Sequence, residues 1–313
     1  MQPTFLRSIV AAVDLSPGSD EVLRTAAELA RAAGAELHVV HALDVAVAPS
    51  LEDPADPGYI RWHNEAAGRL ALQLERVLPP GHEPRTRELV LDLAHRAVLA
   101  RIRAVDADLV VVGPHRGRPG AAPLLGSTAD RVIRTSPVPC LVVQGRLKLP
   151  LSRVVVPLDL EDPSPGALEA GFRWLAGLGT DAELAVVHVV PPVAAPGAFP
   201  RDRIAVAPPL HAAVEASRAG HPQARVREEL VWGEAPADAI TGYAGRERAE
   251  LVVIATHGRG GVRRALLGSV ASRVAAAAPC PVLMVPPSRW GGTPPEDDAA
   301  PEATLEPAAS FHR

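Results

Sequence analysis

Two stretches of the 313-residue chain carry residue types that suit an anion: Gly113-Pro114-His115-Arg116-Gly117-Arg118-Pro119-Gly120 and His257-Gly258-Arg259-Gly260-Gly261-Val262-Arg263-Arg264. Glycine lets a backbone approach a ligand closely and take positive φ. Arginine adds a permanent charge and a fork of donors. Each stretch runs on to a Gly-Ser pair, Gly126-Ser127 and Gly268-Ser269, where an apolar helical pattern begins. Free N–H groups at a helix start, together with the positive dipole end, favour a phosphate, the dipole contributing about 0.3–1 kcal/mol. Ser127 and Ser269 stand where one side chain serves as helix N-cap and phosphate ligand at once. Asp14 and Asp159 each end a short apolar run. A carboxylate there suits a ribose or base donor, or equally the capping of a turn.

Other chemistries find little support. Lys148 is the only lysine, and no Gly-rich loop precedes it, so there is no Walker A phosphate loop and no setting for a Schiff-base lysine. There is no Gly-x-Ser-x-Gly elbow and no His/Cys set at metal-ligand spacing, so His115 and His257 read as loop residues. Arg131 and Arg273, one turn into their helices, read as solvated or ion-paired. The net charge of −4 argues against a nucleic-acid partner. The longest uncharged stretches, 184–200 and 274–288, are broken by prolines and too short to span a membrane. The run Ser8–Val13 is too short for a signal-peptide core. Cys140 and Cys280 make no disulfide framework and read as core residues. A cytoplasmic protein is expected.

The elements that must position these residues occur twice. Residues 109–143 and 251–285 are identical at 15 of 35 positions without a gap. Ile9-Val10-Ala11-Ala12-Val13-Asp14 likewise matches Val154-Val155-Val156-Pro157-Leu158-Asp159. The first copy predicts strands at Ile9–Val13, Leu37–Leu43, Leu109–Gly113 and within Pro137–Val143, with a weak one at Glu88–Leu91. Helices are expected over Ser19–Ala33, Ile60–Val77, Asp92–Val105 and Ser127–Arg134, with Ala46–Asp56 as loop. The second copy repeats the order, with strands at Val154–Leu158, Leu184–Val190, Glu228–Val231, Leu251–Ala255 and Val282–Val285. Its middle stretch, Pro191–Pro209, reads as a proline-rich loop. Apolar runs of Val and Leu alternating with helices predict a parallel sheet covered on both faces, with ligands at the carboxyl ends of its strands. Aromatics are only 3% of the chain, so Ala, Val and Leu must build the cores. The linker Gln144–Ser152 is short, which places the copies side by side.

The loops, the Gly-Ser pairs and the first-strand aspartates resemble the universal stress protein family in its tandem form. Its ATP-binding members carry Gly, two residues, Gly, nine residues, Gly and Ser/Thr in this loop. The resemblance covers about residues 5–145 and 151–287. It implies an α/β fold of two tandem, doubly wound, five-stranded parallel-sheet domains, of the adenine-nucleotide alpha-hydrolase-like type, packed as an intrachain pseudo-dimer through their last strands. The domains would be 1–145 and 151–287, with 288–313 a disordered tail. The implied ligand is ATP or AMP, alone or with Mg, in one domain or both, and a homodimer of whole chains is open.

By position, Asp14 would contact adenine or ribose in the first copy. Gly113 holds the first glycine position, Arg116 stands in place of the second, and Gly126-Ser127 form the phosphate end. In the second copy Asp159, Gly258, Gly268 and Ser269 match, and Ala255 replaces the first glycine. Arg116 costs roughly 1–2 kcal/mol if its position needs φ > 0, whereas Ala255 adds one methyl. Against the second copy, Glu161 and Asp162 add negative charge. The balance tips narrowly to the second copy. Three functions remain open: a nucleotide-binding stress-response sensor or regulator, a scaffold of the same fold without ligand, and a nucleotide-using enzyme.

Overall fold

A computed structural model describes residues 5–43, 56–114, 125–160, 165–191, 199–256 and 267–287. The first half runs β1 (Ser8–Ala12), α1 (Ser19–Ala33), β2 (Glu36–Leu43), α2 (Pro57–Val77), β3 (Thr86–Leu91), α3 (Ala94–Ala104), β4 (Leu109–Val112), α4 (Ser127–Thr135) and β5 (Cys140–Val142). The second runs β6 (Arg153–Pro157), α5 (Pro165–Gly177), β7 (Glu183–Val190), α6 (Phe199–Arg218), β8 (Arg225–Trp232), α7 (Pro236–Arg246), β9 (Leu251–Ala255), α8 (Ser269–Ala277) and β10 (Val282–Val285).

The strands form one sheet in the order β3-β2-β1-β4-β5-β10-β9-β6-β7-β8. All neighbours within a half are parallel. The halves join where β5 and β10 pair antiparallel, with Leu141 opposite Leu283 and Cys140 opposite Met284. The expected pairing of the two copies through their last strands is thus met within one chain. Both cysteines are free and buried.

Successive strand residues face opposite sides of a sheet, and the apolar runs therefore supply two cores. Ile9, Ala11, Leu109 and Val111 pack with Leu29, Leu70, Phe172, Trp174 and Leu210, under α1, α2, α5 and α6. Val10, Val110 and Val112 pack with Ala97, Ile102, Val132, Ile240 and Val274, under α3, α4, α7 and α8. Each core crosses the β5–β10 seam, so the halves share their interiors. The seam is reinforced by Gln144, whose Nε2 donates to Ala275 O at 2.7 Å. Phe5, just ahead of β1, meets Trp174 on α5 edge to face, with ring centroids 5.6 Å apart. A Cβ on Gly177 would collide with the Phe5 ring, so close packing fixes a glycine there.

One expectation fails. Pro191–Pro209 is not loop throughout: α6 begins at Phe199 and carries Pro208 and Pro209 inside it. Proline normally breaks a helix by removing a donor and clashing with the preceding turn. Here Leu210 and Val214, one turn apart and each 1% exposed, dock into the core just after the pair, and tertiary burial outweighs the local preference. The loop expected at Ala46–Asp56 and the tail expected at 288–313 lie outside the described residues, except Asp56. That aspartate is the N-cap of α2, its side chain accepting from the Gly58 and Tyr59 amides.

Candidate functional site

Strand β1 has β2 on one side and β4 on the other. Its chain connections leave in opposite directions, which makes the β1/β4 carboxyl end a topological switch point. A cavity of about 370 Å³ opens there, within the range of roughly 300–1,000 Å³ that small-molecule sites occupy. Asp14, Gly113, Gly126 and Ser127 all line it. Four residues that the sequence separates by up to 113 positions therefore share one wall system.

The two ends of the cavity differ chemically. Beside β2 and α3 the wall is apolar, made by Val40, Ala42, Ala94 and Val98. Beside β4 and α4 it is made by Gly113, Pro114 and the residues Gly126 to Ala129. The first bond of α4 runs from the Asp130 amide to Gly126 O, at 2.8 Å. The amides of Ser127, Thr128 and Ala129 precede it and have no partner within the helix. These are the groups, at the positive end of the helix, that suit an anion.

The serines sit one position later than expected. Gly126 and Gly268 are the N-caps of α4 and α8, and Ser127 and Ser269 are the first helical residues. Neither cap is made by a side chain. Gly126 (φ −65°, ψ 150°) and Gly268 (φ −57°, ψ 139°) hold extended backbone, which directs the following amides outward without a capping hydroxyl.

Asp14 holds its turn. Its Oδ1 accepts from the Ser16 amide at 2.9 Å, the arrangement that aspartate adopts in many turns. Between them Leu15 takes φ 59°, a left-handed conformation rare outside glycine. Ser16 Oγ accepts from the Gly18 amide at 3.3 Å, and Ser19 Oγ donates to Ser16 O at 2.9 Å. Ser16, Gly18, Ser19 and Glu21 complete the cavity wall.

A duplicated histidine was missed in the sequence. His41 on β2 places Nδ1 2.8 Å from Val13 O, and His188 on β7 places Nδ1 2.9 Å from Leu158 O. Each carbonyl immediately precedes the first-strand aspartate of its half. A carbonyl only accepts, so Nδ1 must carry the proton. The signal was available: both histidines interrupt apolar strands at matched places, in Val39-Val40-His41 and Val186-Val187-His188.

Burial holds the His41 pKa below the usual 6.5, against the smaller raising effects of the Val13 carbonyl and Asp14. The unfolded chain therefore binds a proton that the folded chain resists, and stability from His41 is lost as pH falls below about 6.5. Ring ¹⁵N shifts are expected to show a neutral, Nδ1-protonated His41 at pH 7, with a titration midpoint below 6.5. A titration midpoint at or above 6.5 would contradict the buried, carbonyl-bonded geometry.

In the second half Asp159, Ala255, Gly268 and Ser269 occupy the matching ends of β6, β9 and α8. There the Gly268 amide donates to Thr256 O at 2.9 Å, which takes up one backbone donor beside the helix start. Arg273 pairs with Asp238 at 2.9 Å, both exposed. Arg116, His115, Gly258 and His257 lie outside the described residues. No helix among the described residues is long and apolar enough to cross a membrane. Among them there is also no group of three or more His, Cys, Asp or Glu side chains that would hold a metal ion.

A doubly wound parallel sheet with a part-apolar, part-amide-lined cavity at its switch point defines an α/β protein of the open-sheet kind. The family model for the universal stress protein family matches the chain twice, over residues 6–144 and 150–286. The chain belongs to that family, in a tandem form. A universal stress protein of Mycobacterium tuberculosis is 25% identical over 287 residues, covering 88% of this chain and 95% of the relative. The universal stress protein A homolog 1 of Coxiella burnetii is 32% identical over 146 residues, covering 44% of this chain and 95% of the relative. Among solved structures, a universal stress protein from Archaeoglobus fulgidus matches with a TM-score of 0.63 at 20% identity, covering 90% of this chain and 97% of that one. At that identity the likeness speaks for the fold.

Proposed function

We propose that this chain is a cytoplasmic, adenine-nucleotide-binding stress-response regulator, holding ATP or AMP in the cavity of its first half. The observation that carries the reading is that Asp14, Gly113, Gly126 and Ser127 line one cavity. The apolar wall of Val40, Ala42, Ala94 and Val98 takes the adenine ring. Asp14, at the end of β1 between the two walls, accepts from the ribose hydroxyls. The Ser127, Thr128 and Ala129 amides take the phosphates. Arg116, adjoining this loop in sequence, supplies positive charge. Asp14 and Glu21 are the carboxylates of the wall, hard oxygen donors of the kind that Mg takes beside phosphates.

The second half acts chiefly as the partner that the first half packs against, with Asp159, Ala255, Gly258, Gly268 and Ser269 forming a weaker site. That departs from the narrow preference drawn from sequence and rests on the cavity described at the first-half switch point; the start of α8 keeps matching amides, its first bond running from the Ser272 amide to Gly268 O. Two buried free thiols fit a reducing compartment. Isothermal titration of nucleotide-stripped full chain with ATP tests the reading. Saturable binding near one ATP per chain is expected, and absence of heat with competent, folded protein would reject it.

A further inference from the structure

The turn from Asp14 to Ser19 forms one wall of the cavity, and a residue far away in sequence grips it from behind. Gln73 lies on α2 and is 4% exposed. Its Nε2 lies 3.1 Å from Ser16 O, 3.0 Å from Ser19 Oγ and 2.8 Å from Asp20 Oδ1. Two of these are acceptor-only groups, so the amide must present nitrogen here; the flipped amide would set oxygen against a carboxylate. Its own Oε1 is left buried without a hydrogen bond. One turn on, Arg76 forks onto the same Asp20, at 2.5 Å from Oδ2 and 2.9 Å from Oδ1. That contact holds the Asp20 carboxyl below its ordinary pKa. A charged acceptor is thereby fixed where Gln73 needs it.

The backbone supplies an independent reason for such a grip. A left-handed Leu15 is a strained conformation for a residue with a Cβ, and such strain persists only where the surroundings determine it from several sides. Asp14 Oδ1 fixes the turn at its start, and Gln73 fixes it at Ser16 and Ser19. The arrangement is not a general requirement of the fold. In the repeat that aligns Asp14 with Asp159, the position of Asp20 is taken by Pro165, which has no carboxylate to offer.

Building on the nucleotide reading above, we infer that Gln73, locked by the Asp20–Arg76 pair, is a positioning residue for the cavity: it holds the strained Asp14–Ser19 turn in its ligand-accepting shape. Gln73 touches no ligand. It acts through Ser16 and Ser19, so α2 and the binding site move together.

The test compares three full-chain variants by ATP titration, melting temperature and hydrogen exchange of the nucleotide-free protein. Gln73→Leu is expected to weaken ATP binding about tenfold and to speed exchange at the Ser16, Gly18 and Ser19 amides. Arg76→Met, at a half-exposed position that folding tolerates, is expected to weaken binding about threefold in the same way. Leu70→Ala cuts the packing of the same helix without touching the network, so it is expected to lower the melting temperature while ATP affinity stays within twofold. The inference is overturned if Gln73→Leu and Arg76→Met bind ATP like the parent, or if affinity simply follows melting temperature across all three. If the parent chain itself binds no ATP, the nucleotide reading fails first, and that failure is visible before any variant is made.

Discussion

Gly126→Glu is expected to lower ATP affinity about a hundredfold while leaving the chain folded. Gly126 holds φ −65° and ψ 150°, a conformation open to any L-residue, so the backbone accepts the substitution. A glutamate at the start of a helix also interacts favourably with the dipole. The melting temperature should therefore hold or rise slightly. The new carboxylate, however, extends from a residue of the cavity wall, beside Ser127 and Thr128. Two unit charges about 4 Å apart repel by about 4 kcal/mol at an effective dielectric near 20. Allowing for partial solvent screening, about 3 kcal/mol remains, or roughly two decades in Kd. Gly268→Glu is the internal comparison. If the first half carries the nucleotide, that variant binds nearly as the parent does. Equal losses in the two variants would mean that both halves bind, and parent-like affinity in both would remove the α4 start from the site.

The second large effect concerns the shared interior. Trp174 on α5 is fully buried, and its ring meets Phe5 at an interplanar angle of 87°. Trp174→Ala is expected to destabilise the chain by about 3–5 kcal/mol, since removal of so large a side chain leaves a cavity that the core fills only in part. For a chain of this size that corresponds to a fall in melting temperature on the order of 10 °C. Phe5→Leu keeps an apolar group in place and removes the edge-to-face contact, so about 1 kcal/mol is expected. Calorimetry should show one transition in the parent, because both cores cross the β5–β10 seam. Two well-separated transitions, with only one moved by Trp174→Ala, would show that the halves unfold independently.

The sheet was readable in the sequence wherever its strands are buried on both faces. The runs Leu109-Val110-Val111-Val112 and Leu251-Val252-Val253-Ile254 have no polar face, as central parallel strands require. The edge strand β3 was fainter, because its partly exposed residues Thr86 and Arg87 dilute the pattern, and the expectation began at Glu88. α6 was cut short by Pro208 and Pro209, since the burial of Leu210 that sustains it depends on where the sheet lies. At the site, Asp14, Gly113 and the Gly126-Ser127 pair stood out because glycines and a strand-ending aspartate leave local marks. The assignment of Ser127 as cap was off by one residue, because an extended glycine can start a helix without a side-chain cap. Gln73 left no mark at all. Its partners Ser16, Ser19 and Asp20 lie 53 to 57 positions away, and only the packing of α2 on α1 brings them together.

Photolabelling of the full chain with 8-azido-ATP, followed by peptide mapping, asks directly where the base lies. Label that excess ATP suppresses should fall on the β2 wall at Val40 to Leu43 or on the α3 wall at Ala94 to Val98. Suppressible label confined to the second half, or an absence of suppressible label in a chain that binds ATP, would contradict placement of the nucleotide in the first-half cavity.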